Sequence, residues 1–253
     1  MKRILTAAVA IPIALLVTLY APLWLFALLA GGVAALMLDE FFALSAARDA
    51  KGPGKWFLIP GSAVAVSFAF GPRSVLAATT ACVLCLLTAA VFGSDIENVF
   101  SRITTGLSGV VYCSLLFGFI LLLPRDAVLT IFAIIWAGDS AAYYGGRAFG
   151  RNPLAPRVSP KKTVEGAISG LLASVLAGAA IGSWRLGLPW PAIAMMSAVT
   201  AVAGQIGDLA ESALKRSAGV KDSSSILPGH GGILDRLDSL LFAAPVFFWL
   251  LGT

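Results

Sequence analysis

Charge is scarce in this sequence. Only 12% of its residues are charged, where an ordinary soluble domain has about one-quarter, so the chain lacks the polar surface that a water-soluble core requires. It holds a single histidine, and its three cysteines, Cys82, Cys85 and Cys113, lie inside apolar runs with no second pair at zinc spacing. That removes a zinc site and leaves the thiols as packing residues. No Gly-x4-Gly-Lys-[Ser/Thr] phosphate loop occurs, which excludes ATP-driven pumping of that type. Internal repeats, low-complexity tracts and an appended soluble domain are missing as well. The net charge of +5 does not point to nucleic acid, because the cations gather where they serve membrane topology and anionic headgroups.

What is abundant is hydrocarbon: 58% of residues are hydrophobic and the mean hydropathy is +0.91. Long apolar runs recur from Ile4 to Leu251, each near the length of about 17–25 residues that a helix needs to cross a bilayer. Lipid-exposed backbone cannot stay unpaired, so these runs are read as helices. The expected spans are 4–20, 22–38, 56–71, 74–92, 103–123, 127–146, 164–184, 190–214 and 237–251. The fold expected is all-α, a polytopic transmembrane helical bundle of about nine spans, in one integral membrane domain covering 1–253. Met1-Lys2-Arg3 ahead of an apolar run imitates a secretory signal, but no small-residue cleavage pattern closely follows, so this run reads as an uncleaved first helix.

Cation placement tests the count. On the amino-terminal side stand Lys2, Arg3, Arg48, Lys51, Lys55, Arg102, Arg147, Arg151, Arg157, Lys161, Lys162, Lys215, Arg216, Lys221 and Arg236, fifteen in all. The other side has only Arg73, Arg125 and Arg185. The positive-inside rule then gives a cytoplasmic amino terminus and an external carboxyl terminus, and so an inner-membrane protein with its polar chemistry on the cytoplasmic side.

Acidic residues cluster late in the chain, at Asp208, Glu211, Asp222, Asp235 and Asp238. A carboxylate at membrane depth normally faces a bundle interior or a wet cavity, which makes Asp208 a functional candidate. Helical spacing puts Asp208, Ser212 and Lys215 on one face, and Asp235 with Asp238 on another. Between them lie Lys215, Arg216 and Lys221, which suit phosphate, and Gly229, Gly231 and Gly232, which let backbone amides approach an anion. Asp208 and Asp235 can serve a Mg2+ ion, which takes one or two carboxylates and completes its shell with water and phosphate. The blander reading is that Lys215, Arg216 and Arg236 only anchor helix ends by snorkelling, and that His230 merely orders its loop.

The run Ser212-x-Leu214-Lys215-Arg216-x4-Lys221-Asp222-x-Ser224-x2-Leu227-Pro228-x-His230-Gly231-Gly232-Ile233-x-Asp235-Arg236-Leu237-Asp238 resembles the signature of phosphatidate cytidylyltransferases, also called CDP-diacylglycerol synthases. The likeness extends upstream to Asp139-Ser140-Ala141-Ala142-Tyr143, Gly146-Arg147, Gly150-Arg151 and Ser159-Pro160-Lys161-Lys162-Thr163-Val164-Glu165-Gly166. It thus covers roughly the second half of the chain, with active-site segments at 139–166 and 208–238. The resemblance implies a homodimer in the bilayer, with CTP and phosphatidic acid as substrates and a divalent metal, Mg2+, held by aspartates; a second cation stays open. By matching position, Asp208 and Asp235 look like metal ligands and, with Lys215 and Asp238, the catalytic set. Ser212, Arg216, Lys221, His230, Gly231, Gly232, Arg236, Lys161 and Lys162 look like substrate-binding positions. Family members often carry a larger apolar residue where Ser223 begins a triple-serine run here.

The expected reaction is attack by the lipid phosphate on the α-phosphorus of CTP, with pyrophosphate leaving in line. A phosphomonoester is mostly dianionic at pH 7, so no general base is needed, which suits a segment with no evident base for an alcohol. A CTP-dependent polyisoprenol or phytol kinase, which would profit from such a base, is the nearest enzymatic alternative. An ion-coupled transporter is the alternative of another class, opposed by polar residues gathered at one membrane face and by the lack of an inverted repeat. Asp139 and Glu165 are read as completing the cation site or as pairing with Arg147 or Lys161.

Overall fold

A computed structural model of the chain describes residues 2–93, 95–226, 229 and 231–252, with side chains from residue 9 onward except residue 10. Among the described residues there are nine helices: α1 (Lys2–Tyr20), α2 (Leu23–Ala46), α3 (Lys55–Phe70), α4 (Pro72–Phe92), α5 (Ile96–Leu121), α6 (Arg125–Phe149), α7 (Val164–Leu186), α8 (Trp190–Ser217) and α9 (Leu234–Leu251). Six of these, α2 and α4 to α8, are long and apolar enough to cross a membrane. The apolar part of α1, Ile11–Tyr20, and α3 are shorter, and α9 opens on Asp235, Arg236 and Asp238. The chain is an all-α polytopic membrane protein, and each expected apolar run lies on its own helix.

Two features differ from the expectation. Helix α2 continues to Ala46 and carries Asp39 and Glu40 inside it, where a span ending at 38 was expected. The basic stretch before α7, where the sequence suggested only a loop from Arg147 to Lys162, contains an antiparallel hairpin of β1 (Pro153–Ala155) and β2 (Ser159–Thr163).

Two compact units divide the chain. The first comprises Met1–Leu122 and Leu214–Arg236. Its core joins Phe57 and Val64 of α3, Cys82 and Leu86 of α4 and Val110 of α5, with Phe42 of α2 packed against them. Cys82 is therefore a packing residue, as its apolar setting implied. Close approach depends on missing side chains: a Cβ on Gly106 would meet Leu86 Cδ2 at 2.9 Å, and one on Gly61 would meet Leu38 Cδ1 at 2.9 Å. The reversal from α3 to α4 needs Gly71, whose φ of 91° is costly for any residue with a Cβ. Pro72 follows at the first helical position, where its missing N–H costs nothing.

The second unit comprises Leu123–Ala213 and Leu237–Thr253. Helices α6 and α7 run antiparallel along a seam of small residues. Ser174 Oγ donates to Ile134 O at 2.8 Å, a Cβ on Gly170 would meet Gly138 O at 2.9 Å, and one on Gly166 would meet Ala142 O at 2.8 Å. These pairs advance by four residues in opposite directions along the two helices. In lipid there is no hydrophobic gain from helix association, so such backbone-to-backbone packing is what holds helices together.

Polar contacts also join the ends of helices within each unit. In the first unit Asp95, before α5, accepts from Arg102 at 2.8 Å and lies 3.7 Å from Lys51, after α2. The Asn98 amide, 2.7 Å away, chiefly holds the Asp95 carboxyl below the usual carboxylate range, with Lys51 and Arg102 adding to it. Arg48, after α2, donates to Ser217 O at the end of α8. In the second unit Arg185, ending α7, reaches Asp126 at the start of α6 at 2.6 Å.

Candidate active site

The hairpin and α8 bring the first pair of expected site residues together. Lys162 on β2 donates from Nζ to Asp208 Oδ2, and Ser212, one turn along α8, lies with its Oγ 3.5 Å from Asp208 Oδ1. Both members of the pair stay about one-third exposed. The hairpin is held at its base by Glu165, whose carboxylate accepts from Arg151 N at 3.0 Å, Asn152 N at 3.2 Å and Asn152 Nδ2 at 2.7 Å. Glu165 therefore receives backbone amides where a pairing with Arg147 or Lys161 or a share in a cation site was expected. Thr163 closes the junction by capping α7, its Oγ1 accepting from Gly166 N at 3.1 Å.

Asp208 opens onto a cavity of about 410 Å3 in the second unit. Along α6 its wall passes from Ile134 and Ile135 through Asp139 to Arg147; along α8 it passes from Ala201 through Gln205 to Asp208. Lys161 and Lys162 line it from the hairpin. One end is thus apolar and the other ionic. The volume lies in the range of about 300–1,000 Å3 typical of ligand sites.

A second constellation forms in the first unit around the signature segment. Lys215 Nζ donates to Asp235 Oδ1, and the two side chains are only 11% and 4% exposed. Asp235 Oδ2 accepts from Ser223 N at 2.9 Å, Ser223 Oγ at 2.9 Å and Gly232 N at 2.7 Å. Gly231, at φ 79°, could carry no side chain, since its Cβ would also meet Asp235 Oδ2 at 2.5 Å. Ser223, where the resemblance led to a larger apolar residue, is buried, and its Oγ also lies 2.8 Å from Glu40 Oε2, so its one hydroxyl proton is shared between the two carboxyl groups. Glu40, 2% exposed, accepts further from Ser224 Oγ at 2.7 Å, Ile233 N at 2.8 Å and Leu234 N at 2.8 Å. Sequence reading missed Glu40 because a charge following an apolar run looks like the end of a span.

The other expected residues separate. Arg216 donates from Nη1 to Val220 O at 2.8 Å and so closes the turn after α8, while Lys221 and Arg236 are exposed. Asp238 accepts from Ser239 N at 2.6 Å at the start of α9. His230, with Leu227 and Pro228 of the signature, lies outside the described residues. Asp208 with Ser212 offers hard oxygen to a cation, whereas both oxygens of Asp235, expected as a second metal ligand, are already taken by Lys215 and by Ser223 and Gly232. Among the described residues no group of three His, Cys, Asp or Glu side chains is gathered to hold a metal alone, so a bound cation would draw its remaining ligands from a substrate and water.

Known proteins share much of this sequence. Phosphatidate cytidylyltransferase of Bacillus subtilis is 48% identical over 120 residues, 47% of this chain and 45% of that protein. The protein of the same name from Synechocystis is 46% identical over 130 residues, covering 50% and 44%, and that from Thermotoga maritima 38% over 170 residues, covering 61% of each. The chain thus spans less than half the length of the first two relatives and under two-thirds of the third. A sequence profile described as the cytidylyltransferase family matches residues 1–253, so the chain belongs to that family.

Proposed function

We propose that the chain is a phosphatidate cytidylyltransferase, joining CTP to phosphatidic acid to form CDP-diacylglycerol and pyrophosphate. The observation that carries the reading is the cavity of the second unit, where Arg147, Lys161, Lys162 and Asp208 meet a wall of Ile134, Ile135 and Ala201. A space ionic at one end and apolar at the other fits a ligand that is a phosphate at one end and acyl chain at the other. The names of the relatives support the same reaction.

In this reading a phosphate oxygen of phosphatidic acid forms a bond to the CTP α-phosphorus while the bond to the departing pyrophosphate breaks. The nucleophile is already ionised, so no residue need take a proton from it. Positioning and charge neutralisation then do most of the work. Lys161, Lys162 and Arg147 hold the phosphate charge at the cavity; in the first unit Lys215, kept in place by Asp235, is the cation proposed for nucleotide phosphate. Asp208, with Ser212 beside it, is the proposed Mg2+ ligand in the second unit; the ion, if bound, would supply neutralisation of phosphate charge. The enzyme works as a homodimer in the inner membrane with this chemistry at the cytoplasmic face.

Purified protein in detergent with phosphatidic acid, Mg2+ and CTP labelled at either the α or the γ position tests the proposal. The α label should enter the lipid and the γ label should leave as pyrophosphate. Label from the γ position in the lipid, or robust turnover when a polyisoprenol replaces phosphatidic acid, would mean kinase chemistry and overturn it.

A further inference from the structure

Glu40 belongs to α2, far in sequence from the four groups that hydrogen-bond its carboxyl. Its two oxygens are treated alike: Oε1 takes Ser224 Oγ and Ile233 N, and Oε2 takes Ser223 Oγ and Leu234 N, at 2.7 to 2.8 Å. Each oxygen thus receives one hydroxyl and one backbone amide. The four donors come from the two ends of the segment 223–234, so a single carboxylate ties both ends down. Ser223 Oγ is also 2.9 Å from Asp235 Oδ2, which links Glu40 through one hydroxyl to the Asp235–Lys215 pair. Gly232 lies against the same group: a Cβ there would collide with Ser223 Oγ and Glu40 Oε2. A buried carboxyl group met by two backbone amides and two hydroxyls is a rigid anchor, because each buried N–H and O–H is fixed by its need for an acceptor.

We propose that Glu40 is a positioning residue, which fixes residues 223–224 and 233–234 so that Asp235 and Lys215 stand ready for the phosphates. The substrate side of this proposal rests on the cytidylyltransferase reading. The serine pair at 223 and 224 is then the matching half of the anchor, which explains why small hydroxyl residues stand where bulk would displace Glu40.

Glu40→Gln is the discriminating variant, since it keeps the shape and replaces one acceptor by an NH2 group. Whichever way the amide turns, that group faces Ile233 N or Leu234 N, a donor against a donor. The variant should lose about 100-fold in kcat, the scale of a small misplacement of reacting groups, with KM for CTP little changed. Hydrogen exchange should accelerate over 223–234 and stay unchanged over α6 and α7. Glu40→Asp, which keeps the acceptors, should recover part of both losses. Wild-type kcat in Glu40→Gln, or exchange that rises equally throughout the chain, would overturn the proposal. The exchange arm needs no substrate, so if the wild-type protein transfers no cytidylyl group the reaction reading alone fails, while the exchange pattern still decides the role of Glu40.

Discussion

Replacing Asp235 by Asn strands a buried ammonium. Lys215 and Asp235 are 11% and 4% exposed, and removing one member of a buried ion pair costs about 3–5 kcal/mol because the other charge is left uncompensated. The Asn amide must also turn its NH2 either toward Lys215 or toward Ser223 N and Gly232 N, all of them donors. A loss of this size lowers the unfolding midpoint on the order of 10 °C for a chain of this length. The double variant Asp235→Asn with Lys215→Met removes the stranded charge and should regain at least about 2 kcal/mol, since an apolar side chain replaces a buried ion at little cost. Thermal unfolding in detergent, followed by tryptophan fluorescence, measures both. Turnover should be absent in each, which separates the structural part of the pair from its part in the reaction. A double variant no more stable than Asp235→Asn would show that the charge pair is not what the segment depends on.

Asp208→Asn should behave differently: its pair with Lys162 is about one-third exposed, so stability should change by no more than about 1 kcal/mol while turnover is lost, and near-normal activity at limiting Mg2+ would refute its assignment as a metal ligand. Gly170→Leu should prevent α6 and α7 from closing and abolish folded protein in the membrane, whereas Gly32→Ala, with nothing within 4 Å of the new Cβ, should be neutral or stabilising by about 0.5–1 kcal/mol; equal yields of the two on size-exclusion chromatography would contradict the seam. In a cysteine-free background, Arg157→Cys and Arg73→Cys should react with an impermeant thiol reagent from opposite sides of sealed vesicles, and labelling of both from one side would break the alternation of nine helices.

The helices were legible because lipid imposes one answer: an apolar run of sufficient length cannot be anything else. Both the Asp208–Ser212 spacing and the shared helix of Asp235 and Asp238 followed from helical periodicity. What escaped was satisfied polarity. Glu40 looked like a boundary because periodicity records where a charge stands and says nothing of the four donors that meet it from residues 223–234. The hairpin escaped for a related reason, since Glu165 stabilises it through the backbone amides of Arg151 and Asn152, and backbone amides carry no sequence identity. Ser223 read as a departure from a pattern, yet it fills a place that only its contact with Glu40 and Asp235 explains.

The anchor at Glu40 also sets an order of events during synthesis. Its carboxylate sits on the second helix, and its first partner, Ser223, follows 183 residues later. At about 5–20 residues per second, the ribosome needs roughly 10–40 s to supply that partner. Through that interval α2 stands in the bilayer with a carboxylate whose eventual donors have not yet been made, so water at the membrane surface must serve it in their place. Glu40 therefore meets its partners only once residues 223–234 have been made, and a nascent chain arrested before residue 223 should carry this acid still hydrated.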